Sequence, residues 1–175
     1  RILVGSALTM EEIPAALHTR CEPIVYAGVE HDMFTPPPPG EGRHRNEVVR
    51  LLYAGRLTPH KGIELLLRAC ATIRRGREFS LSLVARGGEF FEAFVRSLVR
   101  DLGLEERVRF LPKVPRDAMP QLYREHDVFC FPTLSDTYGI SLLEAMASGM
   151  AVVVSGIGGA AEIVSDDSGI RIPVV

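Results

Sequence analysis

A chain of 175 residues, 46% hydrophobic and 24% charged, has the composition of an ordinary soluble globular protein and the length for one well-buried core. A formal net charge of −2 excludes a global basic field for nucleic acid or anionic membrane, and no run of about 18 apolar residues is present to form a membrane-spanning helix. No signal peptide is expected from the residues read, and a chain that begins at Arg1 rather than Met is expected to have lost its true N-terminus. Cys21, Cys70 and Cys130 are widely spaced without a C-x-x-C pair, so they read as free thiols in a reducing compartment rather than as a disulfide framework or zinc site.

In chain order, residues 2–5, 10–19 and 24–27 predict a strand, a helix and a strand. "TPPPPGEGRHRNE" (35–47), with four consecutive prolines, predicts an extended linker or surface loop. From Val48 onward strands and helices alternate. "VVRLLYAG" (48–55) is a buried strand ending in Gly55, and 60–76 has apolar residues at helical spacing. Arg74, Arg75 and Arg77 then close that helix, where its dipole favours cations. A strand at 79–85, a helix at 89–102, a strand at 108–112 and a short helix at 116–125 follow. A strand at 127–133 leads into the apolar helix of "GISLLEAMASGM". A strand at 151–156, a short helix at 159–164 and a strand at 169–174 complete the chain. This alternation predicts an α/β fold, a doubly wound parallel sheet with helices on both faces. Residues 1–34 are expected to be the tail of a preceding unit, 35–47 a linker, and 48–175 a ligand-binding domain truncated after its last strand.

Such sheets bind ligands in the loops leaving the carboxyl ends of their strands. In "AGRLTPHKG" (54–62), Thr58-Pro59 reads as a cap followed by a first-position proline, which puts Lys61 in the first helical turn, where the dipole disfavours a cation. Lys61 beside Arg56 therefore points to a bound anion such as a pyrophosphate; the alternative is two solvated surface cations. Gly87 and Gly88 allow a plain turn or a close ligand approach. "PKVP" (112–115) is a stiff loop fixed by two prolines, which reads either as a plain loop or as the lining of a base pocket through its backbone groups. In "SDTYGISLLEAMASG" (135–149), Asp136 and Glu144 can be read as helix-capping residues, Ser141 and Glu144 forming a capping box. Alternatively Gly139 marks the helix start, and Glu144 is a carboxylate in the second turn that needs hydrogen-bond donors, which sugar hydroxyls supply. Gly158-Gly159 again permits backbone approach to a ligand.

These stretches, taken in order, resemble the nucleotide-binding half of a known family. "AGRLTPHKG" is similar to G-R-L-x-x-x-K-G, "LVARGGE" to L-V-G-x-G, the segment from Asp136 to Glu144 to E-x7-E, and "GGAAEIV" to G-G-x-x-E-I-V of the retaining family-4 (group 1) glycosyltransferases. "VRFLPKVP" resembles that family's strand and loop before the base, and "AGVEHDMFTP" (27–36) its hinge between two domains. The resemblance implies the C-terminal, Rossmann-like half of a GT-B architecture that binds a nucleotide-diphosphate sugar. Arg56 and Lys61 would hold the diphosphate, Glu144 the ribose, and Asp136 would lie next to the donor sugar. Gly55, Gly87, Val114, Gly139, Ile140, Ser141 and Leu142 would complete the donor site. Asp136 replaces the family's usual Glu, one methylene longer, and Ala85 replaces the first Gly of L-V-G-x-G.

The resemblance further implies no cofactor and no metal. The acceptor, a carbohydrate, a lipid-linked group or a small molecule, would be carried by the missing N-terminal domain. The setting would be the cytoplasm, or the periphery of a membrane reached through that domain. A nucleotide-sugar epimerase of the same architecture and a non-catalytic nucleotide-sugar-binding domain are the alternative readings at this stage.

Overall fold

The computed structural model describes residues 1–6, 10–24, 28–38, 48–73, 78–136 and 138–174. Near the N-terminus β1 (Ile2–Val4) pairs in parallel with β2 (Cys21–Pro23). The helix expected over 10–19 is interrupted at Pro14, which has no N–H to continue it, and a 3-10 helix follows over Ala15–Arg20. The strand expected at 24–27 forms earlier, at Cys21–Pro23, because β1 sets its register, Ile2 opposite Cys21 and Val4 opposite Pro23. Residues 25–27 of that expectation lie outside the described residues.

The main body is a six-stranded, wholly parallel sheet made of β3 (Val48–Leu57), β4 (Glu78–Gly87), β5 (Val108–Leu111), β6 (Val128–Phe131), β7 (Ala151–Ser155) and β8 (Ile170–Ile172). The spatial order is β5-β4-β3-β6-β7-β8. The chain starts at the centre, winds outward to β5, crosses back to β6 beside β3, and winds outward to β8. That is the doubly wound order, with its topological switch between β3 and β6.

Side chains alternate across the strands and so divide the core in two. Tyr53, Leu81 and Leu83 point to one face, where α1 (Ile63–Ala71) and α2 (Glu89–Asp101) bury Ile63, Leu67, Val95 and Leu98 against them. Leu52, Phe129, Val152 and Val154 point to the other, covered by α3 (Met119–Glu125), α4 (Ile140–Ala147) and α5 (Gly158–Ile163) through Tyr123, Leu142, Ala145 and Ala160. Phe34, from the segment before the prolines, is buried in this second cluster. Residues 35–38 are neither helix nor strand; the rest of the expected linker, 39–47, lies outside the described residues, as does the Arg74, Arg75 and Arg77 cluster.

The boundaries differ from expectation where they shape the site. β3 does not end at Gly55 but runs to Leu57, laddered to β4 as far as Gly87. Gly87 is accordingly a strand residue, not a turn: a Cβ there would meet the Leu57 carbonyl oxygen at 2.3 Å, so its small size serves strand packing. After β3 a 3-10 turn spans Pro59–Lys61, and Gly62, at φ 67°, redirects the chain before α1 begins. Lys61 is therefore not in the first turn of an α-helix.

Candidate functional site

Beyond Leu51–Val128 and Leu52–Phe129, β3 and β6 have no further paired residues, so their carboxyl ends part. Into this crevice the sequence sends two loops. The first, after β3, carries Lys61 on its 3-10 turn. The second, whose described residues are 132–136 and 138–139, leads from β6 to α4. They are tied together by Leu134 N–H donating to the His60 carbonyl at 2.8 Å and by Thr133 Oγ1 donating to the same oxygen at 3.3 Å. Ser155 Oγ, from the end of β7, donates to the Thr133 carbonyl. Gly159 N–H, at the start of α5, donates to the Asp136 carbonyl at 3.0 Å.

Gly139 caps α4 in the left-handed conformation at φ 61°, and no side chain takes the cap position's hydrogen bonds. Helix geometry leaves Ile140 and Ser141 without a carbonyl one turn back, so their N–H groups face the crevice end of the helix. This start agrees with the reading that placed Glu144 in the second turn. It removes the capping-box reading, because Ser141 is inside the helix rather than at its cap.

Between the two loops lies a cavity of about 320 Å³. Of the residues singled out in the sequence, Gly55, Arg56, Lys61, Asp136, Gly139, Ile140 and Ser141 line it. Gly87, Val114, Leu142 and Glu144 do not. Tyr53, Phe131, Thr133 and Tyr138 line it as well and were not anticipated. The strand alternation that buries Tyr53 was readable, but that β3 and β6 separate just above it was not. Lys61 Nζ forms an ion pair with Asp136 Oδ2 at the floor, their side chains 13% and 19% exposed. Asp136 Oδ1 also accepts from Tyr138 N–H at 3.4 Å. Tyr53 Oη donates to the Arg56 carbonyl at 2.9 Å, and burial, reinforced by nearby Asp136, pushes its phenol well above the usual range. The arrangement thus offers an exposed guanidinium, a largely buried ammonium held by a carboxylate, and a helix N-terminus, all converging on one concave space. Its chemistry suits a polyanion.

Glu144 sits one turn behind Ile140, buried, on the side of α4 facing α3. The sequence reading had ligand hydroxyls satisfying it; here the protein supplies the donors. Tyr123 Oη donates to Oε2 at 3.0 Å, and Arg116 Nη1 to Oε1 at 2.8 Å. Arg116 Nη2 also donates to Glu30 Oε1 at 2.8 Å, and Glu30 first, then Glu144, raises its guanidinium further. A buried carboxylate demands such partners, and Arg116, on the 3-10 turn before α3, and Tyr123, on α3, were available candidates that sequence reasoning passed over. Among the described residues no group of three or more His, Cys, Asp or Glu is placed to hold a metal ion.

The model of the glycosyl transferases group 1 family matches residues 40–174. The chain belongs to that family. Among its curated relatives, D-inositol 3-phosphate glycosyltransferase of Mycobacteroides abscessus is 32% identical over 155 residues, covering 86% of this chain and 35% of the relative. An uncharacterized glycosyltransferase of Methanocaldococcus jannaschii is 38% identical over 117 residues, covering 67% of this chain and 30% of the relative. The chain thus spans about a third of the length of the curated relatives it matches. In fold it is similar to Anabaena HepE, solved in complex with UDP and glucose, with a TM-score of 0.82 at 23% identity over 98% of this chain and 48% of that one. It is also similar to the C-terminal domain of a group 1 family protein from Francisella tularensis, with a TM-score of 0.69 at 22% identity over 83% of this chain and 80% of that one. As expected from its sequence, the chain has the Rossmann-like fold of GT-B C-terminal domains. No helix among its described residues is long and apolar enough to cross a membrane.

Proposed function

We propose that this chain is the donor-binding part of an enzyme that moves a sugar, a hexose in our reading, from a nucleoside diphosphate to an acceptor hydroxyl with retained configuration. The anomeric C–O bond to the diphosphate breaks, the bond to the acceptor oxygen forms, and the hydroxyl proton is released. Positive charge builds on the sugar and negative charge on the departing diphosphate. Arg56, Lys61 and the N–H groups of Ile140 and Ser141 stabilise that leaving group, and no metal is assigned to the task. Asp136, paired with Lys61, lies next to the sugar, and Glu144 takes the ribose hydroxyls. The observation that carries this reading is the convergence of Lys61, Arg56 and the α4 N-terminus in one cavity at the switch point of the sheet. The UDP and glucose held by the Anabaena neighbour of the same fold agree with it.

The acceptor, a carbohydrate, a lipid-linked group or a small molecule, is assigned to the part of the enzyme outside this chain. The chain alone therefore binds donor nucleotide without transferring sugar. The compartment is cytoplasmic in this reading, supported by Cys70 and Cys130 being free thiols.

The test is calorimetric titration of the 175-residue chain with UDP, GDP and ADP, repeated with Lys61→Ala. One nucleotide should bind, and the substitution should weaken it at least about ten-fold, the worth of one charge-assisted contact. Binding of none, or binding indifferent to Lys61, overturns the site.

A further inference from the structure

Two donors reach the Glu144 carboxylate from outside its own helix, one to each oxygen. Tyr123 Oη takes Oε2 at 3.0 Å and Arg116 Nη1 takes Oε1 at 2.8 Å. Fixing both oxygens sets the plane of the carboxylate as well as its place. The donors are themselves fixed. Tyr123 is fully buried, and Phe34 packs edge-on against it with ring centroids 5.9 Å apart. The Arg116 guanidinium lies 5.5 Å over the Phe34 ring and binds Glu30 with its second nitrogen.

A purely structural salt bridge is a poor explanation for this effort. α4 also buries Leu142 and Ala145, and an apolar residue in place of Glu144 would serve a buried helix position as well. A carboxylate accepts about four hydrogen bonds, and Tyr123 and Arg116 use two of them. Glu144 also lies one helical turn from Ile140, which lines the cavity.

We infer that Arg116 and Tyr123 are positioning residues for nucleotide recognition: they orient Glu144 so that its remaining lone pairs meet the ribose hydroxyls of a nucleoside diphosphate bound in the adjacent cavity. The inference rests on the donor site proposed above and assigns that site's ribose selectivity to two side chains on the neighbouring loop and helix. Glu30 and Phe34, by holding Arg116, extend the arrangement to the segment before the prolines.

The experiment compares the affinity of the 175-residue chain for UDP, GDP and ADP with that for their 2′,3′-dideoxy counterparts, in the wild type and in Arg116→Gln, Arg116→Lys and Tyr123→Phe. Tyr123→Phe removes only a hydroxyl and keeps the core, so it tests the inference even if the arginine variants fold poorly. The wild type should prefer the ribose form about ten-fold or more, the worth of a hydrogen bond to a charged acceptor. Arg116→Gln and Tyr123→Phe should bring that ratio toward one while leaving affinity for the dideoxy form unchanged, and Arg116→Lys should recover part of it. A ratio that survives both variants overturns the inference, as does an equal weakening of both nucleotide forms, the mark of a merely structural role. Nucleotide binding without ribose preference in the wild type overturns it too but leaves the donor site standing. No binding of any nucleotide overturns both.

Discussion

Gly62 shows how a single residue sets the site. Its φ of 67° turns the chain from the Lys61 loop into α1, and a Cβ there would meet the Pro132 carbonyl oxygen at 1.9 Å. Left-handed backbone alone costs an L-residue roughly 1–2 kcal/mol, and the clash adds to it. Gly62→Ala should therefore lower unfolding free energy by about 2 kcal/mol or more in urea titrations. Gly88→Ala, with nothing within 4 Å of the added carbon, should stay within about 0.5 kcal/mol. An equal effect of the two would refute the packing argument. At this scale the sequence was only half legible. It marked Lys61, Asp136 and Glu144 as charges that needed a reason. It did not reveal that Asp136 turns to Lys61, or that Glu144 turns to Arg116 and Tyr123, because side-chain partners 75, 28 and 21 residues apart are set by the fold.

Among elements, the pairing of β3 with β6 deserves the closest test, since two central strands that part early must be held below the parting. Arg50 and Asp127 do this at their amino ends. The Arg50 N–H and Nε donate to Asp127 Oδ2 at 2.8 and 3.2 Å, Nη2 donates to Oδ1 at 3.0 Å, and Asp127 N–H returns a bond to the Arg50 carbonyl at 2.8 Å. The side chains are 31% and 21% exposed, so solvent weakens the pair without abolishing it. Asp127→Ala should cost about 1–3 kcal/mol, read as a lower urea midpoint with unchanged slope. A change under about 0.5 kcal/mol would class the pair with ordinary surface bridges. The sequence placed Asp127 inside a strand from 127 to 133; in the structure it precedes β6 and acts as its clasp. Hydrophobic pattern locates a strand's middle, while its ends are decided by the neighbour it pairs with.

On the scale of the whole molecule, stability should depend on pH through His126, which joins α3 to β4. Its Nδ1–H donates to the Leu122 carbonyl at 2.8 Å and Nε2 lies 2.9 Å from Ser82 Oγ, an arrangement that suits the neutral ring. Burial chiefly, and nearby Arg50 in addition, lower its pKa from 6.5, against the opposing pull of Leu122, Glu125 and Asp127. The unfolded chain then takes up a proton at a pH where the folded one does not. This contribution is fully present above about 6.5 and is lost as pH falls toward the folded value, with a slope of at most about 1.4 kcal/mol per unit. His126→Gln should flatten the pH dependence of unfolding free energy below about 6.5 relative to the parent. A parallel decline in both proteins would remove His126 as its source.

The sequence by itself determined the alternation of strand and helix, the parallel sheet that follows from it and the loops that carry the charged residues; it offered Gly139 as one of two starts for α4, and the structure chose it. The first three are local: period, glycine and proline settle them within a few residues. Only the tertiary structure decided where β3 and β6 separate, that Lys61 sits on a 3-10 turn, that Gly87 serves strand packing, and which donors satisfy Glu144. Each of those depends on groups distant in the chain meeting across a sheet, and burial makes the meeting obligatory, since an ionised group taken from water must find its counterpart wherever the fold provides one.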